Sequence, residues 1–334
     1  METESKFDLL LQKMEDLLSL KASVETWMPD VERRIENLQA TVDKLQVKVE
    51  KMEGVKESEE DRGIPSVEFV TLFLNPVYKE ELELMFPRKD SVFYLLSRYL
   101  FHPSNDVWGM VTRFYDSYLK NVDERLGIQI RVFDGDEPFQ HIMDQILLCA
   151  SQEHLLPGVV SGGGGGAPPP ITPAAAARSK AVLMTGLNSW YHDNIREMYW
   201  RSPSVTGEVV SVHQPSHEEH QHFFRSIHDM KALAEMYLLS LTDKIVTSGW
   251  STFGYVGSGL GGLRPYIMIK LENHKVPNPP CKKSMSMEPC NHGPPYFECT
   301  KKEIDKVLDT GSLVPHVRSC EDMPWGRKLT DSIS

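Results

Sequence analysis

Over residues 1–55 the apolar positions fall at Phe7, Leu10, Met14, Leu17, Val24, Met28, Val31, Ile35, Leu38, Val42, Leu45, Val49 and Met52, with Lys21 the polar residue on the seam. The steps alternate four and three. A sustained 3.5-residue period requires a partner helix, because an isolated stripe would stay wet. The pattern predicts an N-terminal α-helical coiled coil, which Pro29 kinks or divides into a dimer stalk or a helical hairpin. The plainer alternative is a loosely helical tail. Residues 56–64, in the charged run from Lys51 to Arg62, read as a linker.

Beyond Ile64 the period changes. Tyr78–Phe86 and Asp106–Leu119 read as helices, and Ser91–Leu100 as helix or strand. Gly127–Phe133 is β-branched and strand-like, and Phe139–Ala150 has helical period. The stretch 158–177 contains SGGGGGAPPPITPAAAA, a low-complexity insertion expected to be disordered.

Regular alternation follows. Strands are expected at Ala181–Leu187, Glu208–His213, Lys244–Ser248 and Pro265–Lys270. Between them, helices are expected at Ser189–Tyr199, Ser216–Ser240 and Thr252–Leu260. Strands alternating with helices imply crossovers and a parallel sheet, hence a doubly wound α/β domain from about 122 to 275. Ligands of such sheets sit beyond the carboxyl ends of the strands.

Composition changes this picture little. The 334 residues suffice for about two domains, and 40% hydrophobic with 25% charged residues is a globular balance. The net charge of −11 argues against nucleic-acid binding, which needs clustered cations to neutralise phosphates. A single nucleotide is not excluded, since one pyrophosphate needs only a local positive site. No apolar run reaches bilayer length, and Met1–Lys13 lacks the pattern of a signal peptide. Taken literally the chain is soluble and cytosolic. Cys281, Cys290, Cys299 and Cys320 lie near the end and Cys149 stands apart, without a Cys-x-x-Cys pair. Nine-residue steps among Pro, Gly and Asn suggest a disulfide-stapled loop region, with buried free thiols as the alternative.

Three segments carry candidate chemistry. In Asp243–Ile269 a strand runs through Gly249 and Trp250 into a helix that Ser251 and Thr252 can cap. Small residues at Gly254, Gly257, Ser258 and Gly259 let that helix approach the sheet, and its first turn can hold a pyrophosphate. An ordinary capped helix is the alternative. In LGIQIRVF, Arg131 sits within an apolar strand, where a guanidinium must pair or bind; it suits a diphosphate or an internal carboxylate. Gln129, two residues away, points to the same face. The third segment, HQPSHEEHQH (213–222), invites a metal reading. Its spacing is not H-E-x-x-H, and Glu218, Glu219 and His220 read better as a solvated first turn with Ser216 as N-cap.

Taken in order, the blocks YLFHPSNDVWGMVTR (99–113), GIQIRVF (127–133), PFQHIMDQI (138–146), TGEVVSVHQPSHEEH (206–220), AEMYLLSLTD (234–243), SGWSTFGYVGSGLGGLRP (248–265), SMEPC (286–290) and LVPHVRSCED (313–322) resemble the plant xyloglucan-type fucosyltransferases. The resemblance covers residues 65 to about 330 apart from the insertion. It implies a Rossmann-like parallel-sheet donor domain of a B-type glycosyltransferase at 122–334, with 65–121 a remnant of the preceding domain and interdomain region. It further implies transfer of L-fucose from GDP-fucose, with inversion, to O-2 of a galactosyl residue on a glycan acceptor such as xyloglucan. No metal or other cofactor is implied, and the location is the Golgi membrane. Carried over by position, Arg131 holds the diphosphate; Ser251, Thr252, Phe253 and Gly254 form the donor loop; Gln214 and His217 line the nucleotide side, with Gln129 beside Arg131.

The chain departs from the family in its N-terminal third, where a coiled coil replaces anchor and acceptor domain. The family has an acidic residue in a D-x-Y-F-like motif where this chain reads Ser66-Val67-Glu68-Phe69, so no general base is assigned, though Glu68 lies close. Two further readings compete with an active enzyme. One is an inactive homologue that binds nucleotide or scaffolds through a coiled-coil homodimer. The other is a zinc hydrolase built on the histidine cluster.

Overall fold

The computed structural model describes Phe73 and residues 76–132, 139–160, 178–222, 224–292 and 316–331. All belong to one unit, Pro65–Ser334. The heptad segment, the linker 56–64, Glu68, Phe133, residues 161–177 of the insertion and Cys299 lie outside the described residues.

The core is a six-stranded sheet of β1 (Glu124–Gln129), β2 (Ser179–Thr185), β3 (Val209–His213), β4 (Lys244–Thr247), β5 (Tyr266–Met268) and β6 (Cys281–Lys283). The strand order is β3-β2-β1-β4-β5-β6. The first five strands are parallel, in the nucleotide-binding order of a doubly wound sheet, and β6 closes the edge antiparallel to β5. A second ribbon pairs β7 (Val317–Ser319) with β8 (Arg327–Leu329). The helices are α1 (Lys79–Met85), α2 (Val92–Leu100), α3 (Asn105–Phe114), α4 (Gln140–Gln152), α5 (Trp190–Arg201), α6 (Ser226–Ser240) and α7 (Thr252–Gly261).

The period-two alternation of the strands sorts side chains onto two faces. Leu126, Ile128, Val182, Met184 and Val246 pack against Met143 and Ile146 of α4 and Tyr191 and Ile195 of α5. Ala181, Leu183 and Ile245 face the other way, against Val107 and Val111 of α3 and Leu238 and Leu239 of α6. Apolar cover on both faces is what a parallel sheet requires. Gly127 permits the close approach on the second face, since a Cβ there would stand 2.9 Å from the Leu239 side chain. Helix α7 lies on the same side, packed against α6 and α2.

Several expectations change. Ser91–Leu100, open between helix and strand, is helical. The single helix expected at Asp106–Leu119 is α3 followed by one π-helical turn, Tyr115–Leu119. The strand expected to run to Phe133 ends at Gln129, which leaves Arg131 beyond the strand and exposed rather than inside it. The long helix expected from Ser216 begins only at Ser226. Pro215 precedes that stretch, and Glu219 (φ 59°) and Phe224 (φ 58°) take left-handed backbone that no helix continues through. Finally, Cys149 of α4 bonds Cys281 of β6, and Cys290 bonds Cys320. The cysteine that stands apart in sequence thus ties a helix to the sheet edge.

Candidate donor-binding site

At the carboxyl ends of the strands lies a cavity of about 470 Å³, lined by Gln129 at the end of β1 and Arg131 beyond it, Gly186 and Asn188 after β2, Ser216 and Glu218 after β3, Trp250 to Phe253 after β4, and Lys231 and Glu235 of α6. It opens where β1 sits between β2 and β4, the point at which strand order reverses.

One wall is the first turn of α7. Ser251 occupies the N-cap position in extended backbone (φ −98°, ψ 100°), but its side chain makes no capping bond, contrary to the expected cap. The first-turn N–H groups therefore have no side-chain acceptor from the cap, and the positive end of the helix faces the cavity. Packing fixes how close α7 comes. A Cβ at Gly254 would fall 1.7 Å from Thr247 Oγ1 and 2.8 Å from Gln129 Oε1. Those two buried side chains are themselves joined, the Thr247 hydroxyl donating to Gln129 Oε1 at 2.7 Å.

Beside this turn, the Arg131 N–H donates to Ser248 Oγ at 2.9 Å, and the Ser248 N–H to the Gln129 carbonyl at 3.1 Å. These bonds continue the β1–β4 junction past its ladder and hold the Arg131 backbone at the cavity rim. The turn between β4 and α7 is strained at Trp250 (φ 61°) and is braced by Asp322. The Trp250 N–H donates to Asp322 Oδ2 at 2.7 Å and its indole N–H to the Asp322 carbonyl at 2.7 Å. The Tyr255 hydroxyl donates to the same carboxylate. Burial, then the Asp322 charge, pushes the Tyr255 hydroxyl well above its usual range. Asp322 lies two residues from Cys320, so the Cys290–Cys320 bond secures the brace.

Acids from α6 and the loop after β3 line the same cavity. Glu218, expected to be a solvated first-turn residue, accepts from Lys231 and from His228 Nδ1 at 3.0 Å. Those two bonds hold its carboxyl down to about 2. Glu235 Oε1 accepts from the Ser216 N–H at 3.2 Å and from the Ser216 hydroxyl. Ser216 is thus a ligand of Glu235 and not a helix cap. Burial pushes Glu235 up to about 7, against the pull of Ser216.

The residues singled out by sequence therefore divide. Gln129, Arg131, Ser251, Thr252 and Phe253 line the cavity. Gly254 lies behind them, in the seam with Gln129 and Thr247. Gln214 and His217 are not among the lining residues. Gln214 is buried and donates to the Gly186 carbonyl at 3.1 Å, and exposed His217 stands edge-on to His192 at 5.8 Å. Sequence reasoning missed Glu218, Glu235, Asn188 and Asp322. Glu235 offered a signal: it is the one acid in ALAEMYLL, beside positions that face the core. Among the described residues no group of three or more His, Cys, Asp or Glu side chains could hold a metal ion.

Residues 65–300 match the family model of the xyloglucan fucosyltransferases. The chain belongs to that family. It is 55% identical over 263 residues to a galactoside 2-alpha-L-fucosyltransferase of Pisum sativum, covering 78% of this chain and 45% of that protein. Against the galactoside 2-alpha-L-fucosyltransferase of Arabidopsis thaliana it is 53% identical over 260 residues, again covering 78% of this chain and 45% of that protein. The solved structure of an Arabidopsis thaliana FUT1 mutant in complex with GDP is similar at 51% identity, with a TM-score of 0.67 over 78% of this chain and 54% of that one. The Rossmann-like parallel sheet expected from the resemblance is the observed fold. The chain spans about half the length of the curated relatives it matches. No helix among the described residues of this family member is long and apolar enough to cross a membrane.

Proposed function

We propose that this chain binds GDP-fucose in the cavity and transfers L-fucose to O-2 of a galactosyl residue on a cell-wall polysaccharide such as xyloglucan. The observation that carries this reading is the pairing, at the switch point of the sheet, of an α7 first turn without a side-chain cap and Arg131 on the facing loop. Both features suit a diphosphate. Related proteins are named galactoside 2-alpha-L-fucosyltransferases, and a relative's structure holds GDP.

In the transfer, the acceptor O-2 attacks the anomeric carbon of fucose from the face opposite GDP, so the configuration inverts. The carbon–oxygen bond to the diphosphate breaks and the acceptor hydroxyl gives up its proton. Negative charge gathers on the departing diphosphate, where the Arg131 guanidinium, the first N–H groups of α7 and the Ser251 and Thr252 hydroxyls would meet it. Gln214, through its bond to the Gly186 carbonyl, holds the turn that brings Asn188 to the cavity. We read residues 122–334 as the donor-binding domain and 65–121 as belonging to the region that precedes it. Two disulfides call for an oxidising compartment, which fits the Golgi lumen better than the cytosol.

The test is direct. The chain is incubated with GDP-fucose and a galactose-bearing xyloglucan oligosaccharide, and the products are read by mass spectrometry. A single added deoxyhexose, absent when the acceptor lacks galactose, is the expected result. No transfer by protein that binds GDP would overturn the proposal.

A further inference from the structure

A second concavity, of about 410 Å³, lies away from the donor cavity. Phe253 near the start of α7 lines the first, and Leu260 near its end lines the second. From Thr252 to Leu260 the axis of α7 advances about 12 Å. The transfer proposed above uses none of this second face.

Its walls are aromatic. Phe101, in the turn between α2 and α3, is 50% exposed, and Trp108 of α3 is 45% exposed. With Tyr237 of α6 they line the concavity. Large rings left exposed together mark a binding surface. The turn that carries them is fastened. The Tyr237 hydroxyl donates to the Phe101 carbonyl at 2.6 Å, the Phe101 N–H to the Ser97 carbonyl at 2.8 Å, and the Val107 N–H to Ser104 Oγ at 3.4 Å. Trp108 stands edge-on to Tyr237, with ring centroids 6.1 Å apart. Rings placed in advance lower the ordering cost of binding.

The rim is polar and carries little charge. Arg98, His102 and Asn105 line it, and no acid does among the described residues. Arg98 Nε donates to the Leu260 carbonyl at 3.0 Å and its guanidinium lies over the Tyr94 ring at 4.9 Å, which leaves the terminal amino groups for a ligand. His102 turns Nε2 to the Tyr99 carbonyl at 2.8 Å and keeps its other ring nitrogen. Asn105 adds an amide that both donates and accepts.

Aromatic faces edged by mostly neutral donors and acceptors fit one class of ligand. A β-linked hexopyranose chain with equatorial hydroxyls shows C–H groups on its two flat faces and hydroxyls along its edges. An apolar protein helix would cover Arg98, His102 and Asn105 without matching them, and an anion would find one fixed charge. We propose that this concavity is a glycan-binding site holding the β-linked glucan backbone of a polysaccharide at a distance from the transfer site. Phe101, Trp108 and Tyr237 stack on the sugar faces, and Arg98, His102 and Asn105 meet the hydroxyls. This face binds sugar whether or not the donor cavity holds GDP.

Native gels cast with increasing soluble xyloglucan, run with the full chain and no nucleotide, test it. Wild type should be retarded. The apparent Kd should rise about fivefold or more in Trp108→Ala and about twofold or more in Asn105→Ala. Arg131→Ala, altered only at the donor cavity, should be retarded like wild type. Circular dichroism and melting report whether each variant is folded. No retardation of wild type, or equal retardation of a folded Trp108→Ala protein, overturns the assignment and leaves the fucosyl-transfer reading standing. Where Trp108→Ala does not fold, the exposed Asn105→Ala decides in the same way. A Trp108→Ala protein that changes its sedimentation but not its retardation also overturns it, by showing the face to be a contact between copies of the chain.

Discussion

Replacing Gly254 with Ala adds one carbon at the tightest point of the domain. The new Cβ would lie 1.7 Å from Thr247 Oγ1, 2.8 Å from Thr247 Cβ and 2.8 Å from Gln129 Oε1. No real Cβ tolerates the first of these distances, and the atoms it meets cannot swing aside. Thr247 is β-branched, fully buried and on a central strand, and Gln129 is 3% exposed. Either α7 lifts from the sheet or Thr247 rotates and breaks its 2.7 Å bond to Gln129. Overpacking costs about 1–3 kcal/mol and an unpaired buried acceptor about 1–3 kcal/mol. Gly254→Ala should therefore lose roughly 2–5 kcal/mol, a melting shift of about 5–15 °C for a unit of this size. Differential scanning calorimetry measures the shift. Gly254→Ala should cost less in a Thr247→Ala background than in wild type, since the 1.7 Å contact disappears while the 2.8 Å contacts with the Cβ of residue 247 and with Gln129 Oε1 remain. A Gly254→Ala protein within about 1 kcal/mol of wild type, or a double variant showing simple additivity, would refute the reasoning.

Three further outcomes follow from the same coordinates. Asp322→Asn leaves the Trp250 N–H and the Tyr255 hydroxyl facing an amide in place of a carboxylate; stability should fall by about 1–3 kcal/mol and GDP affinity severalfold, as melting and calorimetry would report. Burial pushes Glu288 up from 4.5 to about 8, although the Phe93 N–H donates to it at 2.8 Å. The folded state thus keeps a proton that the unfolded state releases between those values, so stability drops by a few kcal/mol at most as pH rises from about 5 to 8. Urea midpoints across that range should flatten in Glu288→Gln. Cys149→Ser opens a cross-link spanning 132 residues and should cost about 2–5 kcal/mol, while reduction of the wild type should lower its melting temperature in the same direction.

Much of the fold was legible because it follows from local periodicity. The apolar run of Ala181–Leu187 and the small residues of α7 need no distant partner to be read. The meeting of Arg131 with Ser251, Thr252 and Phe253 at one cavity was legible for a related reason: the ends of parallel strands come together whatever the side chains are. The stretch after β3 was not, because its conformation is set by remote partners. Glu218 is bent back to Lys231, 13 residues on, and Ser216 to Glu235, 19 residues on. A helical pattern in 216–225 carries no trace of those bonds. Asp322 is 72 residues from the Trp250 it braces, and Cys149 is 132 from Cys281; both pairings depend on the completed sheet.

The central claim is that the cavity at the β1–β4 switch point holds a nucleoside diphosphate between Arg131 and the first turn of α7. Calorimetric titration of the full chain with GDP, wild type against Arg131→Ala, tests it most directly. Saturable one-site binding is expected, weakened about 10- to 100-fold in the variant, the worth of a charge-assisted phosphate contact. A folded wild-type protein that does not bind GDP, or an Arg131→Ala variant that binds it equally well, would contradict it.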